Sequence, residues 1–558
     1  FENFLEANGM GNGTIDNFVL TSNINTITNL NVGGKSIADL TGIQNFLALE
    51  TFDFSSNPLL TTIDLTKNTA LESLTCGITG ITTLDVTKNT ALIYINIVNS
   101  SLTTVDLSKN VALTTIIANS NSNLTSLDLS KNIALTYIDC SNSSSLTSLN
   151  IRNGENGTIN TPQFISTNTP NLTCITVDEI PYSDTTWTNI DAANSFSENC
   201  DAIVWNGSVD SNLLNNLNWD GNVLPEDDDV IITSVGTSPI ITGDIEYTDF
   251  LIYPGATVTI SSGKNLKASG NFTNRGNLII NSDVTSSGSL LINGTGNGEG
   301  TITYNRYVTS SAVSLDGWHL VGSPVLEAEN DIIGSGLLLS NGTKQSIATY
   351  NNGTSGWDYL LSVNPNNNTI SGKGYSIKRD GAGIIPFIGV PKLDDLIDHP
   401  ITEGAANKWN LVGNPFPSFI SINNTATAST ENFITKNAAE LDPSFVAIYV
   451  WNSVSKEYEV VNHTTGAKYL APGQAFFVLS KDGGGLIDIT KQMQTHQSGD
   501  LFLRSSNSTP AITLNISDGS ITKSTEVKYL ENTTTGLDAG YDAGVFSGTS
   551  SDFNVYTH

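Results

Sequence analysis

Cysteine, methionine and histidine are scarce: 558 residues hold four Cys, two Met and five His. Four Cys are too few for a disulfide scaffold, and so little His and Met argues against a metal- or haem-rich enzyme. Basic residues are outnumbered, 24 Lys and Arg against 54 Asp and Glu, for a formal charge of −30. Such a chain repels phosphate backbones and anionic lipid surfaces, which argues against nucleic-acid binding and membrane-surface attachment. No apolar run approaches the roughly 18 residues of a membrane-spanning helix. The sequence opens on Phe1 with no Met and no basic-then-apolar leader, so a secretory signal is expected to have been removed already or to lie outside it.

What is present is a 38% hydrophobic fraction spread along the chain, 48 Gly, and abundant Thr, Ser and Asn. That is the make-up of a turn-rich, mainly β, secreted protein. At about 100–200 residues per domain the length suits several domains.

The first unit is a repeat. Leu60, Ile63, Leu65, Asn68 and Leu71 recur as Ile81, Leu84, Val86, Asn89 and Leu92, then as Leu102, Val105, Leu107, Asn110 and Leu113. A further copy has Leu124, Leu127, Leu129, Asn132 and Leu135, and a degenerate one begins at Leu146. The copies start at 60, 81, 102 and 124, a nearly constant period. This is leucine-rich-repeat spacing, in which each coil buries its aliphatic positions against its neighbours. Asn68, Asn89, Asn110 and Asn132 are expected to form a buried ladder that satisfies backbone groups at one bend. The solenoid with its end cap is assigned to residues 1–200.

Residues 201–303 read as a short right-handed β-solenoid, opened by Trp205 and Trp219 and continued by short β runs between Gly and Asn turns. Residues 304–488 contain an internal duplication: Trp318-His-Leu-Val-Gly322-Ser323-Pro324 returns as Trp409-Asn-Leu-Val-Gly413-Asn414-Pro415. Tyr350 and Trp357 are echoed by Trp451 and Tyr458, and Gly374-Tyr375 by Ala475-Phe476, which reads as a β-sandwich built of two related halves. Residues 489–558 read as the start of a further β domain, with an apparent strand near Phe553–Tyr556, and are expected to be cut short. The fold class is therefore mainly β and multidomain.

Several segments resemble surface and secreted leucine-rich-repeat proteins of the Bacteroidota. Leu124–Asn142 is similar to their repeats, and Thr169–Cys174 through Trp187 to Cys200 is similar to their end cap. The Trp205 segment, Trp409–Ser418, Pro472–Val478 and Thr534–Phe546 resemble motifs common in multidomain proteins of the same bacteria. The resemblance implies export by type IX secretion and a location outside the cell, attached to the outer membrane where a sorting domain follows. It also implies a glycosylation site at Thr185, because Asp184-Thr185-Thr186 is similar to an O-glycan acceptor pattern and lies in an expected loop.

No catalytic constellation stands out. The histidines lie on different segments, and the Gly322-Ser323-Pro324 corner recurs as Gly413-Asn414-Pro415, so its Ser reads as a turn residue. No cofactor is expected. Asp227, Asp228 and Asp229 offer hard oxygen ligands for calcium, set against the simpler reading of a solvated turn. On the strands at 71, 92, 113 and 135, the residues flanking the buried positions point outward on the concave face. Tyr94, Asn96, Ile117, Tyr137 and Asp139 are the ligand-binding candidates there, since an exposed Tyr offers an apolar face with a polar tip.

The register also divides the cysteines. Cys76 and Cys140 occupy the same inward site three coils apart, about 15 Å, too far to pair. Cys174 and Cys200 flank the Trp187 cap, so they are expected to form the disulfide and the other two to stay free. The expected function is a non-catalytic, adhesin-like binding stalk that contacts a surface glycan or protein. The alternatives are accessory modules of a larger secreted hydrolase and a structural part of a surface filament or gliding apparatus.

Overall fold

Three-residue strands with an aliphatic or aromatic centre and polar flanks build the first unit. In the computed structural model, residues 1–160, 162–309, 317–326, 337–361, 369–453, 457–497, 511–517 and 522–528 are described. The chain divides into two units, Phe1–Asp201 and Ala202–His558.

In the first unit the strands are β1 (Asn29–Asn31), β2 (Thr51–Asp53), β3 (Ser73–Thr75), β4 (Tyr94–Asn96), β5 (Thr115–Ile117), β6 (Ser126–Asp128), β7 (Tyr137–Asp139), β8 (Ser148–Asn150), β9 (Phe164–Ile165), β10 (Cys174–Thr176) and β11 (Ser195–Ser197). A seven-stranded parallel sheet runs β1-β2-β3-β4-β5-β7-β9, and a four-stranded one runs β11-β10-β8-β6. The central residues Leu30, Phe52, Leu74, Ile95, Ile116 and Ile138 stack in register inside the solenoid. The leucine-rich-repeat reading is thus the architecture observed.

The Asn ladder is present. Asn89 Nδ2 donates to the carbonyls of Leu65 (3.1 Å) and Asn68 (2.8 Å), and Asn110 donates to Val86 (3.1 Å) and Asn89 (2.8 Å). Asn132 repeats the pattern onto Leu107 and Asn110, and Asn68 onto Ile43 and Phe46. Each coil therefore satisfies carbonyls of the coil before it.

A second polar ladder lines the opposite bend and was not foreseen. Its members are Asn57, Thr79, Ser100, Asn121, Ser143 and Thr169, all buried. Asn57 Nδ2 donates to Phe54 O (2.8 Å), Thr79 Oγ1 to Cys76 O (3.0 Å) and Asn121 Nδ2 to Ala118 O (2.7 Å). The residue before each member, Ser56, Ile78, Asn99, Ser120, Asn142 or Asn168, has φ between 49° and 59°.

The segment expected to cap the repeats is itself coiled: Cys174 opens β10, which pairs in parallel with β8 and β11. Trp187 is buried, donates its Nε1 to Ile159 O (2.8 Å), and packs on Phe164 (4.7 Å) and Phe196 (5.7 Å). Cys174 and Cys200 form a disulfide with Cα atoms 5.8 Å apart. Cys76 and Cys140 are free and buried, and burial pushes each thiol up to about 12.

The second unit starts as a parallel β-solenoid of three sheets. One stacks Ile203–Trp205, Val230–Ile232, Phe250–Ile252, Phe272–Asn274 and Gly296–Asn297. Another contains Ile240–Ile241, Thr257–Ile260, Asn277–Asn281 and Thr301–Val308, and the third contains Ile245–Tyr247, Asn265–Ala268 and Ser289–Ile292. Trp205 and Trp219 meet edge to face at 5.2 Å at its start. Thr301–Val308 is both the last strand of its solenoid sheet and the antiparallel partner of Gly383–Pro391. The boundary expected at 303/304 thus falls inside one strand, whose Ile302 and Tyr304 belong to a core shared with Tyr375, Ile385 and Phe387.

The duplication has a matching topology. His319–Gly322 pairs with Gly374–Ile377, which pairs with Lys344–Asn351 and through it with Gly356–Leu361. Trp409–Gly413 pairs with Ala475–Leu479, then Ile448–Asn452, then Glu457–Val461. Tyr350 lies directly opposite Trp357, as Trp451 does opposite Tyr458. The chain past 488 still belongs here: Met493 is buried in this core and Thr495 pairs with Phe419. Ala511–Ser517 and Thr522–Lys528 form an antiparallel pair. The expected strand near Phe553–Tyr556 and the Thr534–Phe546 motif lie outside the described residues.

Candidate ligand-binding face

The outward residues of the seven-stranded sheet fall into two rows. One is Asn29, Thr51, Ser73, Tyr94, Thr115 and Tyr137; the other is Asn31, Asp53, Thr75, Asn96, Ile117, Asp139 and Ile165. Tyr94 and Tyr137 therefore share a row with Thr115 between them, two strand spacings or about 9.6 Å apart. Ile117 lies two residues past Thr115 on the same strand, one row over, and all of these are half-buried. Burial, the Asp139 carboxylate and the Tyr94 hydroxyl together push Tyr137 above the ordinary phenol range, so it is a neutral donor at neutral pH. Tyr94 OH also accepts from Asn96 Nδ2 at 3.4 Å.

Two candidates have local partners. Asp139 is only 8% exposed; its carboxylate accepts from the N–H (3.0 Å) and Oγ (2.6 Å) of Ser141 and from Asn119 Nδ2 (2.7 Å). Asn96 Oδ1 accepts from the Val98 N–H at 3.0 Å. Asn31 and Asp53 do the same for Gly33 and Ser55, so this row closes an Asx turn after each strand where it holds Asn or Asp. Its polar members first hold the bend, leaving the rings of Tyr94 and Tyr137 and the side chain of Ile117 as the apolar part of the face.

The other sequence candidates are placed apart from this face. Thr185 is exposed on the last turn of the helix Ile180–Thr186 rather than in a loop, and its Oγ1 donates to Pro181 O (2.8 Å) and Tyr182 O (3.1 Å). Pro181 near the helix start fixes a helical φ there, which the loop reading overlooked. Of the three aspartates weighed as calcium ligands against a solvated turn, Asp228 accepts from the Glu226 N–H (2.9 Å) and Asp227 has φ 52°, as in a turn, while Asp229 accepts from the N–H of Asp249, twenty residues on (3.0 Å). Among the described residues, no three His, Cys, Asp or Glu side chains gather as a metal-ligating group.

One constellation was invisible in the sequence. Ser289 Oγ lies 2.6 Å from His496 Nδ1, and His496 Nε2 lies 3.3 Å from Asp244 Oδ1. The residue types are those of a hydrolytic triad, but the ring nitrogens are exchanged, with Ser289 on Nδ1 and Asp244 toward Nε2. Ser289 is also 0% exposed and donates to Asn265 Oδ1 (3.1 Å). A nucleophile sealed from solvent has no route to substrate, and burial holds His496 below its ordinary range. The trio reads as a polar clamp. Ser323 and Asn414 at the duplicated corners are likewise buried, with Ser323 donating to Val325 O (2.9 Å) and Asn414 to Ser418 O (2.8 Å).

Residues 204–558 match the model of a family described as "Domain of unknown function (DUF8693)". No curated protein matches. Among solved structures, an internalin (inlF) from Listeria monocytogenes is 17% identical, with 43% of this chain and 77% of that one covered at a TM-score of 0.24. The functional domain of InlJ from Listeria monocytogenes is also 17% identical, with 46% and 77% covered at a TM-score of 0.15. Likenesses of that size carry no argument about what this chain binds. No helix among the described residues is long and apolar enough to cross a membrane.

Proposed function

The chain belongs to that family, whose description names no activity, and from the geometry alone we propose that it is a non-catalytic, adhesin-like binding stalk. The carrying observation is the row that sets Tyr94 and Tyr137 on either side of Thr115, with Ile117 alongside. Rigid phenol rings on a regular sheet offer apolar faces and hydroxyl tips at little entropic cost, which suits a surface glycan or a protein ligand. The sheet is preorganised by the two polar ladders beneath it, so little ordering is left to oppose binding. The resemblance to secreted Bacteroidota proteins adds export by the type IX machinery and an extracellular or outer-surface location.

The test is a glycan and host-surface protein screen followed by Tyr94→Ala with Tyr137→Ala. The double variant should weaken binding at least tenfold, about 1.4 kcal/mol, with an unchanged melting temperature. Undiminished binding would leave the sheet as a spacer.

A further inference from the structure

Residues 11–20 form a loop fastened to the helix Glu2–Ala7 by that helix's two carboxylates. Glu6 accepts from the N–H groups of Asn12 (2.7 Å) and Gly13 (2.8 Å), and Glu2 accepts from those of Asp16 (2.8 Å) and Phe18 (3.2 Å). Asp16 also accepts from the Phe18 N–H (3.0 Å), and Asn12 Oδ1 from the Thr14 N–H (2.9 Å). Gly11 lets the Glu6 carboxylate come this close, since a Cβ there would stand 1.9 Å from Glu6 Oε1. The loop is therefore held in place, and it carries large apolar side chains outward. Phe18 is 73% and Ile15 70% exposed, the two most exposed large hydrophobic side chains among the described residues, with Leu20 beside them.

Ordered backbone that turns apolar side chains to water marks a contact surface. Its charge selects the partner: through residue 34 the sequence has Glu2, Glu6 and Asp16 and no Lys or Arg. We propose that this loop docks a cationic amphipathic peptide segment of a partner protein. Apolar side chains of that segment seat on Ile15, Phe18 and Leu20, and its Lys or Arg groups meet Glu2, Glu6 and Asp16. A second copy of this chain would set acid against acid, and an anionic lipid surface would do the same. The site is separate from the tyrosine row and stands or falls without it.

The test uses the full chain and a fluorescein-labelled synthetic peptide of leucine and lysine in helical amphipathic spacing, read by anisotropy. The same peptide with glutamate for lysine is the charge control. The lysine peptide should bind and the glutamate peptide should not. Ile15→Ser with Phe18→Ser should weaken binding at least tenfold, and Thr14→Lys, which only adds a positive charge, at least threefold. Leu59→Ser, at a 65% exposed apolar site elsewhere in the unit, should change nothing. Unchanged binding by either loop variant, or an equal loss with Leu59→Ser, overturns the proposal. So does loop-dependent binding to phosphatidylcholine vesicles, which would make the loop a lipid anchor. Loop-dependent self-association in sedimentation would do so too, by making the partner a second copy.

Discussion

Gly322 and Gly413 face each other at the centre of the duplicated fold: a Cβ on Gly322 would lie 2.6 Å from the Gly413 Cα, and one on Gly413 would lie 2.7 Å from the Gly322 Cα. The flanking bridges are reciprocal, Val321 with Gln474 and Lys373 with Val412. The two halves are thus related by a local pseudo-two-fold whose axis passes where neither copy tolerates a side chain.

Gly322→Ala or Gly413→Ala forces backbone apart in a packed core, which costs about 1–3 kcal/mol. Calorimetry should show either variant lowering the transition of the second unit and leaving that of the first in place. Equal tolerance of both substitutions would mean that the halves are not in contact in solution.

Asn110→Ala removes one of two donors from each of two buried carbonyls, those of Val86 and Asn89, which keep the N–H groups of Asn89 and Leu92. Two buried hydrogen bonds are lost at about 0.5–1.5 kcal/mol each, so urea unfolding of the first unit should shift by about 1–3 kcal/mol. Ser108→Ala, on an exposed side chain two residues away, should cost less than a quarter of that.

Ile78 has φ 54° where the equivalent turns carry Ser or Asn. A β-branched residue is strained in the left-handed region, whereas Asn adopts it with little penalty. Ile78→Asn should therefore stabilise the first unit by about 1 kcal/mol. A destabilised variant would show that Ile78 packs usefully despite its 45% exposure.

All five histidines lie beyond residue 201. Burial lowers His319 to about 4, and lowers His399, His463 and His496 as well. The unfolded chain binds protons near pH 6.5 while these groups resist until lower pH, so stability is lost as pH falls from about 6.5 toward 4. In the first unit, Asp39, Asp64, Asp85 and Asp106 are lowered chiefly by hydrogen bonds from Thr41, Thr66, Thr87 and Ser108. Their contribution persists until the pH drops below the ordinary carboxylate range. Between pH 7 and 5 the melting temperature of the second unit should fall while that of the first stays nearly level.

Reduction of Cys174–Cys200 should cost the first unit about 3 kcal/mol for its loop of 26 residues. In the folded protein, Cys76 and Cys140 should resist alkylation, and labelling them before the first unit unfolds would contradict their burial.

Leu60, Ile81, Leu102 and Leu124 announced the first unit because one spacing carried burial, bend and cysteine register together. The second ladder was hidden: it alternates among Asn, Thr and Ser, so no single letter recurs. Asp139 was legible as an outward position, but its bonds to Ser141 and Asn119 depend on how tightly the bend closes. Ser289, His496 and Asp244 meet only because the chain returns to the solenoid after the duplicated halves, a tertiary event with no local signature. The loop at 11–20 has no period at all; its order comes from two glutamates on the neighbouring helix.

Asn89, Asn110 and Asn132 each donate to the coil before, in the same way every time, so a coil can be added or removed without changing the pattern. Excising residues 81–101 would leave Leu102 where Ile81 stood, and Asn110 would address the carbonyls of Leu65 and Asn68. The same cut would remove Tyr94 and leave Tyr137. Such a chain can change its reach and the composition of its face by whole coils, through in-frame duplication or loss, without redesigning any core contact.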